Sequence, residues 1–239
     1  MRVDFSVVWT YLPLLLQASV MTVILTVVSQ AIGTVLGFFL ALARASGPRW
    51  LRAIVAVYVW IIRGTPLLLH LFFVYYAAPM IGVTLDAFPA AIIAMSASSA
   101  AYNCEILRAG IQAVHRGQIE AAQAIGMRYL PIVRHIVAPQ ALRIVVPAYM
   151  SNFISHAKNS SLASVITVQE LMLTAQMIYS STYRAVEILT ATGAIYLCLT
   201  SLLTGAQMLL EHVTSYEERG LSRRRRKQLL LDPAVQIAA

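Results

Sequence analysis

Long apolar runs broken by short polar interruptions set the frame of this chain. Residues 14–43 form the first run. A bilayer core needs about 20 apolar residues in a helix, so this run is long enough to tilt or to start in the interface. Its Gln17, Gln30 and several Ser, Thr and Gly suit helix–helix packing better than lipid exposure. A short basic loop, 44–52, holds Gly47-Pro48 and leads to a second predicted span over 53–79, which encloses Arg63, Gly64, Thr65 and Pro66. A charge at that depth is expected to face protein or water, and Pro66 frees backbone groups that neighbours must satisfy. The third span, 88–114, is rich in Ala and Ser, and Tyr102, Asn103 and Glu105 make its inner half polar on at least one face. A fourth run covers 142–157 and ends at Lys158-Asn159-Ser160-Ser161. Residues 162–184 are only moderately apolar, interrupted by Glu170 and Gln176, and predict one or two helices at the outer face or dipping back in. The last span covers 186–210. The expected class is all-α, a polytopic membrane protein of about five transmembrane helices.

Between the third and fourth spans lies a polar, charged interruption at 116–139. Gly117 is able to break the preceding helix, and good helix formers follow over 118–124. Ile119, Ala122, Gly126, Tyr129, Leu130 and Val133 recur at spacings of three and four, which places them on one helix face. Pro131 cannot continue a helix but suits the first turn of a new one. The expectation is a short helix, a bend and a second short helix. Ala121, Ala122 and Gly126 are small enough to let another protein's backbone come close.

Composition agrees with the pattern. The chain has 239 residues, 59% hydrophobic and 12% charged, where a soluble domain carries about 25% charged residues. Its two cysteines, Cys104 and Cys198, fall in apolar stretches and read as packing residues. His70, His135, His156 and His212 are isolated, with no metal-ligand spacing. No cleavable leader is expected from the start, M-R-V-D-F-S. A net charge of +8 raises the question of nucleic acid, yet most cations flank the spans. With the N-terminus outside, every Lys and Arg except Arg2, Arg63, Lys158 and Arg184 falls on the inner side. The positive-inside rule therefore predicts N-out and C-in. Residues 1–13 become an outer segment and 211–239 a basic inner tail, whose run at 223–227 suits anionic lipid. There are no paired carboxylates, no His-x-x-Glu-His, no nucleophile elbow and no phosphate-binding Gly-x-x-x-x-Gly-Lys-Ser/Thr, so neither an enzyme nor ATP hydrolysis by this chain alone is expected.

The interruption at 116–139 resembles the EAA loop of bacterial ABC importer permeases: Glu-Ala-Ala, three residues, Gly, nine residues, then Ile-x-Leu-Pro. Glu120, Ala121, Ala122, Gly126, Ile136 and Pro139 fit that spacing, and Ala138 stands where Leu is usual. Further segments resemble the polar-amino-acid branch of those permeases, the histidine, glutamine, arginine and opine type. They are Arg63-Gly64-Thr65-Pro66-Leu67-Leu68, Tyr102-Asn103-Cys104-Glu105-Ile106 with Arg108 and Gly110, Pro139-Gln140-Ala141-Leu142-Arg143, and Lys158-Asn159-Ser160-Ser161-Leu162. Ala109 stands where the branch usually has Gly, and His115 where it often has Pro. Together the segments span residues 18–210.

The resemblance implies a type I ABC importer permease fold over 14–210, in the bacterial inner membrane, with 1–13 periplasmic and 211–239 cytoplasmic. It implies that Gly117, Glu120, Ala121, Ala122 and Gly126 engage an ATPase subunit, with Glu120 as the electrostatic contact. Two such ATPase subunits would bind the ATP and Mg, leaving this chain without a cofactor or metal. The other implied partners are a second permease subunit (the same chain or a paralogue) and a periplasmic solute-binding protein, with no nucleic acid. The implied function is ATP-driven import of polar amino acids or opine-like compounds.

A free amino acid presents an ammonium and a carboxylate, so Arg63, Lys158 and Glu105 are candidates to bind its two ends. The alternative is that Arg63 and Glu105 stabilise the bundle or a receptor interface. Asn159 and Ser160 either line the pathway or satisfy backbone at a helix break. A competing function is an ATP-independent channel or secondary transporter for small polar solutes, in which the intramembrane charges relay ions.

Overall fold

A computed structural model describes residues 4–231, with side chains described through His212. The 223–227 run therefore lies outside the described side chains. The elements are α1 (Ser6–Ser46), α2 (Arg49–Gly64), α3 (Leu67–Phe72), α4 (Ala87–Gln112), α5 (Arg116–Ala124), α6 (Tyr129–Ile132), α7 (Ala138–Asn159), α8 (Leu171–Thr182) and α9 (Ala185–Leu231). Short π and 3-10 turns continue α3, link α6 to α7, and follow α7. Three helices are long and apolar enough to cross a membrane, and two bent pairs raise that to five.

Helix α1 starts at Ser6, earlier than the apolar pattern indicates, and carries Pro13 inside it. Its buried residues, among them Leu15, Ala18, Thr22, Leu25, Ser29, Gly33 and Gly37, recur at helical spacing. That stripe packs on α4 at very short range. A Cβ on Gly33 would meet Ser99 Cβ at 2.5 Å, and one on Gly37 would meet Asn103 Cβ at 2.8 Å. Residue numbers rise together across this contact, so α1 and α4 run parallel. The chain must therefore cross back between them, within residues 49–86.

No single helix in that return is long enough, because α2 has only 16 residues, about 24 Å at 1.5 Å per residue. The expected span at 53–79, its ladder broken at Pro66, takes the form of an elbow. Thr65 and Pro66 are extended, and the helices on either side are bent by 107°. Proline forces its predecessor out of the helical region, which puts the bend here. Thr65 Oγ1 donates to the Ile61 carbonyl (2.7 Å) and bonds His70 Nε2 (2.7 Å), covering part of the interrupted ladder.

The expected fourth span, 142–157, is longer in the structure, because α7 has 22 residues, about 33 Å. Helix α7 runs antiparallel to α4, with Asn152 Nδ2 donating to Asn103 Oδ1 at 3.3 Å and Gly110 lying against Ala141 and Val145. After a 3-10 segment, Ser160–Ile166, the chain turns and resumes as α8, bent by 53°. Leu171, Ala175 and Ile178 of α8 pack with Leu15 and Ile188. Residues 162–184 thus continue from α7 as a bent pair and pack on α1 and α9.

The first turn of α8 begins inside the bundle, where its free N–H groups have no water to bond. Glu170, fully buried, caps it: Oε1 accepts from the Leu173 N–H at 2.9 Å. Thr22 Oγ1 of α1 accepts from the Leu171 N–H at 3.1 Å and donates to Glu170 Oε2 at 3.3 Å. Tyr196 of α9 donates its hydroxyl to the same oxygen at 2.8 Å. One carboxylate thus ties α1, α8 and α9 together at the break.

Two stability outcomes are expected. Gly37→Val should overpack the α1–α4 contact and lower the detergent-solubilised thermal midpoint, at a cost of about 1–3 kcal/mol, whereas Gly193→Ala, with open space around it, should not. Glu170→Ala strands the α8 cap and should cost about 2–4 kcal/mol, with Glu170→Gln costing clearly less because it keeps an acceptor. Equal midpoints for Glu170→Ala and the wild type would contradict this account of the break.

Candidate functional site

The EAA-like segment folds as α5, a bend, and α6 running on into α7. His115, where proline is often found in the branch it resembles, is the N-cap: its Nδ1 accepts from the Gly117 N–H at 3.2 Å. Gly117 therefore lies inside the first turn of α5. The helix break that sequence reasoning assigned to it falls earlier, at Ala113–His115. The far end of α5 closes on Gly126, whose φ of +79° is left-handed. The Met127 N–H bonds the Ala122 carbonyl (3.0 Å), and the Gly126 N–H bonds that of Gln123 (2.9 Å). This is the paired bonding of a Schellman C-cap, which favours glycine. Gly126 thus interrupts the single helix face expected from Ile119 to Val133.

Ala122 is buried within its own chain, while Glu120, Ala121 and Gln123 are exposed. Glu120 makes no ion pair with any described residue. Beside them lies an open groove of about 640 Å³, lined by His115, Gln118, Ala121, Ala122, Met127 and Ile136. Ile125, Tyr129 and Leu130 are each more than 70% exposed around it. The second short helix is not separate. From Tyr129 the chain stays helical through a π turn, Val133–Val137, and into α7. A π turn precedes Ala78-Pro79 in the same way. Both wide turns fall just before a proline, which lacks the N–H of a regular ladder and crowds the carbonyl four residues back.

The pathway candidates divide. Arg63 and Glu105 come together, with Nη1 3.8 Å from Oε2. Arg44 of α1 bonds Glu105 Oε1, and Arg108 donates to Oε2 from Nε (3.0 Å) and Nη2 (2.6 Å). Lys158, Asn159 and Ser160 do not join this cluster. Lys158 and Asn159 are exposed at the end of α7, whereas Ser160 is buried and its hydroxyl donates to the Ala157 carbonyl at 2.8 Å. Ser160 therefore serves backbone at a helix end.

Sequence reasoning missed a polar seam buried between α1, α4 and α7. Ser29 Oγ bonds His156 Nε2 at 2.8 Å, so His156 is not an isolated packing group. Ser99 Oγ donates to Gln30 Oε1 (2.8 Å), Asn103 Nδ2 donates to Ser99 Oγ (3.1 Å), and Thr34 Oγ1 bonds Tyr149 Oη (2.9 Å). Their helical spacing on α1 was visible, but the partners across the bundle were not. Arg44 and Arg108, read as topology charges, turn out to hold Glu105. A cavity of about 260 Å³ between α1, α7 and α9, lined by residues such as Val27, Phe153 and Leu203, is too apolar to suit a polar solute. Cys104 is buried and Cys198 exposed. No group of three or more His, Cys, Asp or Glu able to hold a metal occurs among the described residues.

Residues 33–215 match the family model described as binding-protein-dependent transport system inner membrane component. The chain is 37% identical to the octopine transport system permease protein OccM of Rhizobium radiobacter, over 98% of this chain and 96% of that protein. It is 38% identical to the arginine transport system permease protein ArtQ of Bacillus subtilis, over 85% of this chain and 94% of the relative. Among solved structures, an amino acid ABC transporter crystallised with histidines superposes with a TM-score of 0.84 at 37% identity, covering 89% of this chain and 99% of the other. The inward-facing MetNI methionine ABC transporter shares the fold, with a TM-score of 0.69 at 21% identity. An all-helical bundle of bent and straight crossings, with an EAA-spaced segment between the third and fourth, matches this family over most of its length: the chain belongs to the binding-protein-dependent transport system inner membrane components, the multi-pass permease subunits of ABC importers, and is a transport subunit rather than an enzyme.

Proposed function

We propose that this permease moves polar amino acids or related opine-like compounds across the bacterial inner membrane, driven by a separate ATPase subunit that engages α5. The observation that carries the reading is the state of α5. It is capped at both ends by its own chain and flanked by an open groove, while Glu120 has no partner among the described residues. A short rigid helix presenting an unspent carboxylate is suited to seat in a cationic cleft. Gly117, Ala121 and Gly126 keep its outer surface low, and Ala122 anchors it inward. The substrate class rests on the relatives, whose names specify octopine, arginine, cystine and nopaline.

In this reading two ATPase subunits bind ATP and Mg, two permease subunits (the same chain or a paralogue) form the pathway, and a periplasmic protein delivers the solute. The N-terminus lies outside and the C-terminus inside. The parallel course of α1 and α4 and the positive charges around α5 support that orientation. Transport needs a bundle with two states that ligand and nucleotide bind differently. The elbow at Thr65-Pro66 and the break before Glu170 have few backbone bonds to lose, which suits them as hinges. Lys158 and Asn159 are exposed and able to meet a substrate carboxylate. Arg63 and Glu105 are bound to each other, and their part is first to hold α1, α2 and α4 together.

The test is amino-acid uptake into proteoliposomes containing this chain, its co-purifying subunits and a receptor. Uptake is expected to require ATP and to fall roughly tenfold in Glu120→Ala, equivalent to about 1.4 kcal/mol of lost coupling, with the complex still inserted and folded. Competition by arginine, glutamine and octopine then ranks the substrates. Uptake indifferent to ATP and to Glu120 would replace the importer with a channel or carrier.

A further inference from the structure

Three guanidinium groups converge on the single carboxylate of Glu105. One carboxylate neutralises one of them, which leaves two positive charges uncompensated. No other ion pair involves Arg44, Arg63 or Arg108 among the described residues. Arg108 spends its remaining Nη1 on Gln112, while Arg63 lies 5.3 Å from the centre of the Tyr102 ring. The cluster is open on the arginine side: the Arg63 side chain is 44% exposed against 14% for Glu105.

The surroundings indicate what that side meets. Trp60 sits one turn before Arg63 on α2 and is 76% exposed. Ile54, Val57 and Ile61 are also exposed along α2, with Trp50, Arg49 and Arg52 at its start. Exposed aliphatic residues bordered by Trp and Arg are the signature of a helix surface meeting acyl chains and headgroups. Excess charge in so low a dielectric calls for a counter-ion, and guanidinium forks match phosphate oxygens in geometry and charge.

We propose that the open side of the Arg44, Arg63 and Arg108 cluster binds a phosphate oxyanion, supplied by the headgroup of an anionic phospholipid lying against α2. The lipid completes a charge set that the chain leaves unfinished, and it clamps the α1–α2 connection onto α4.

The complex, purified with its co-purifying subunits, is placed in nanodiscs of equal phosphatidylglycerol and phosphatidylethanolamine. Lipids retained after detergent extraction are then counted by native mass spectrometry. The wild type should retain phosphatidylglycerol preferentially, and Arg63→Gln should lower that retention about fivefold, the worth of one interfacial cation. Arg134→Gln, exposed and away from both the cluster and the α2 face, should leave it unchanged. Glu105→Gln removes the cluster's only anion and should raise retention, a change of sign that a purely structural role does not predict. If Arg63→Gln fails to assemble, Arg63→Lys keeps the charge but loses the fork, and is expected to retain an intermediate amount; undiminished retention there would overturn the phosphate site. Equal losses in Arg134→Gln and Arg63→Gln would reduce the effect to diffuse surface charge and sink the proposal. Inorganic phosphate that binds the complex in phosphatidylethanolamine-only nanodiscs, with the same Arg63 dependence, would assign the site to a soluble anion and overturn the lipid as its source.

Discussion

Inside a bilayer, a backbone N–H or C=O has no water to bond, and each irregularity in this chain is arranged around that constraint. The deepest irregularity is the break before α8. A helix that starts inside the bundle exposes free N–H groups, and here Glu170 and Thr22 accept from them. The carboxylate is itself held by Tyr196 and Thr22. The start of α8, the middle of α1 and α9 thus meet at one group. The elbow at Thr65-Pro66 follows the same rule with a smaller part, a threonine hydroxyl serving a carbonyl one turn back.

The polar seam extends the rule from backbone to side chains. Ser29, Gln30 and Thr34 on α1 face Ser99 and Asn103 on α4 and Tyr149 and His156 on α7. Apolar faces discriminate poorly between partners in lipid, because lipid tails are as apolar as the helices. Hydrogen bonds and the glycine contacts at Gly33 and Gly37 therefore set which helix sits where. The charged cluster at Glu105 does the same toward the end of α4 that leads into α5.

Much of this was legible in the sequence, because hydrophobic runs of bilayer length need no knowledge of their partners. The EAA-like spacing was equally legible, since short local motifs survive without tertiary context. What escaped were relations between distant positions. Thr22 and Glu170 are 148 residues apart, and Arg44 and Glu105 are 61 apart; neither pairing leaves a local trace. Gly126 carries a second requirement with no local signal of its own: besides its small size, the turn needs its left-handed backbone angle. The packing of α8 on Leu15 and Ile188 is again a relation between distant positions.

The uninterrupted course from α6 through the π turn into α7 has a mechanical consequence. From Tyr129 to Asn159 the backbone is one helical rod, about 45 Å long at 1.5 Å per residue. Its near end is fastened to α5 by a bend two residues long beyond Gly126, and its far end leads directly to the break before Glu170. A rod of that kind does not absorb displacement along its length except where a π turn loosens its winding. A load applied at α5 would be delivered as torque and translation at the opposite end, a lever with its compliance concentrated at Val133–Val137 and its far tip at the break before Glu170.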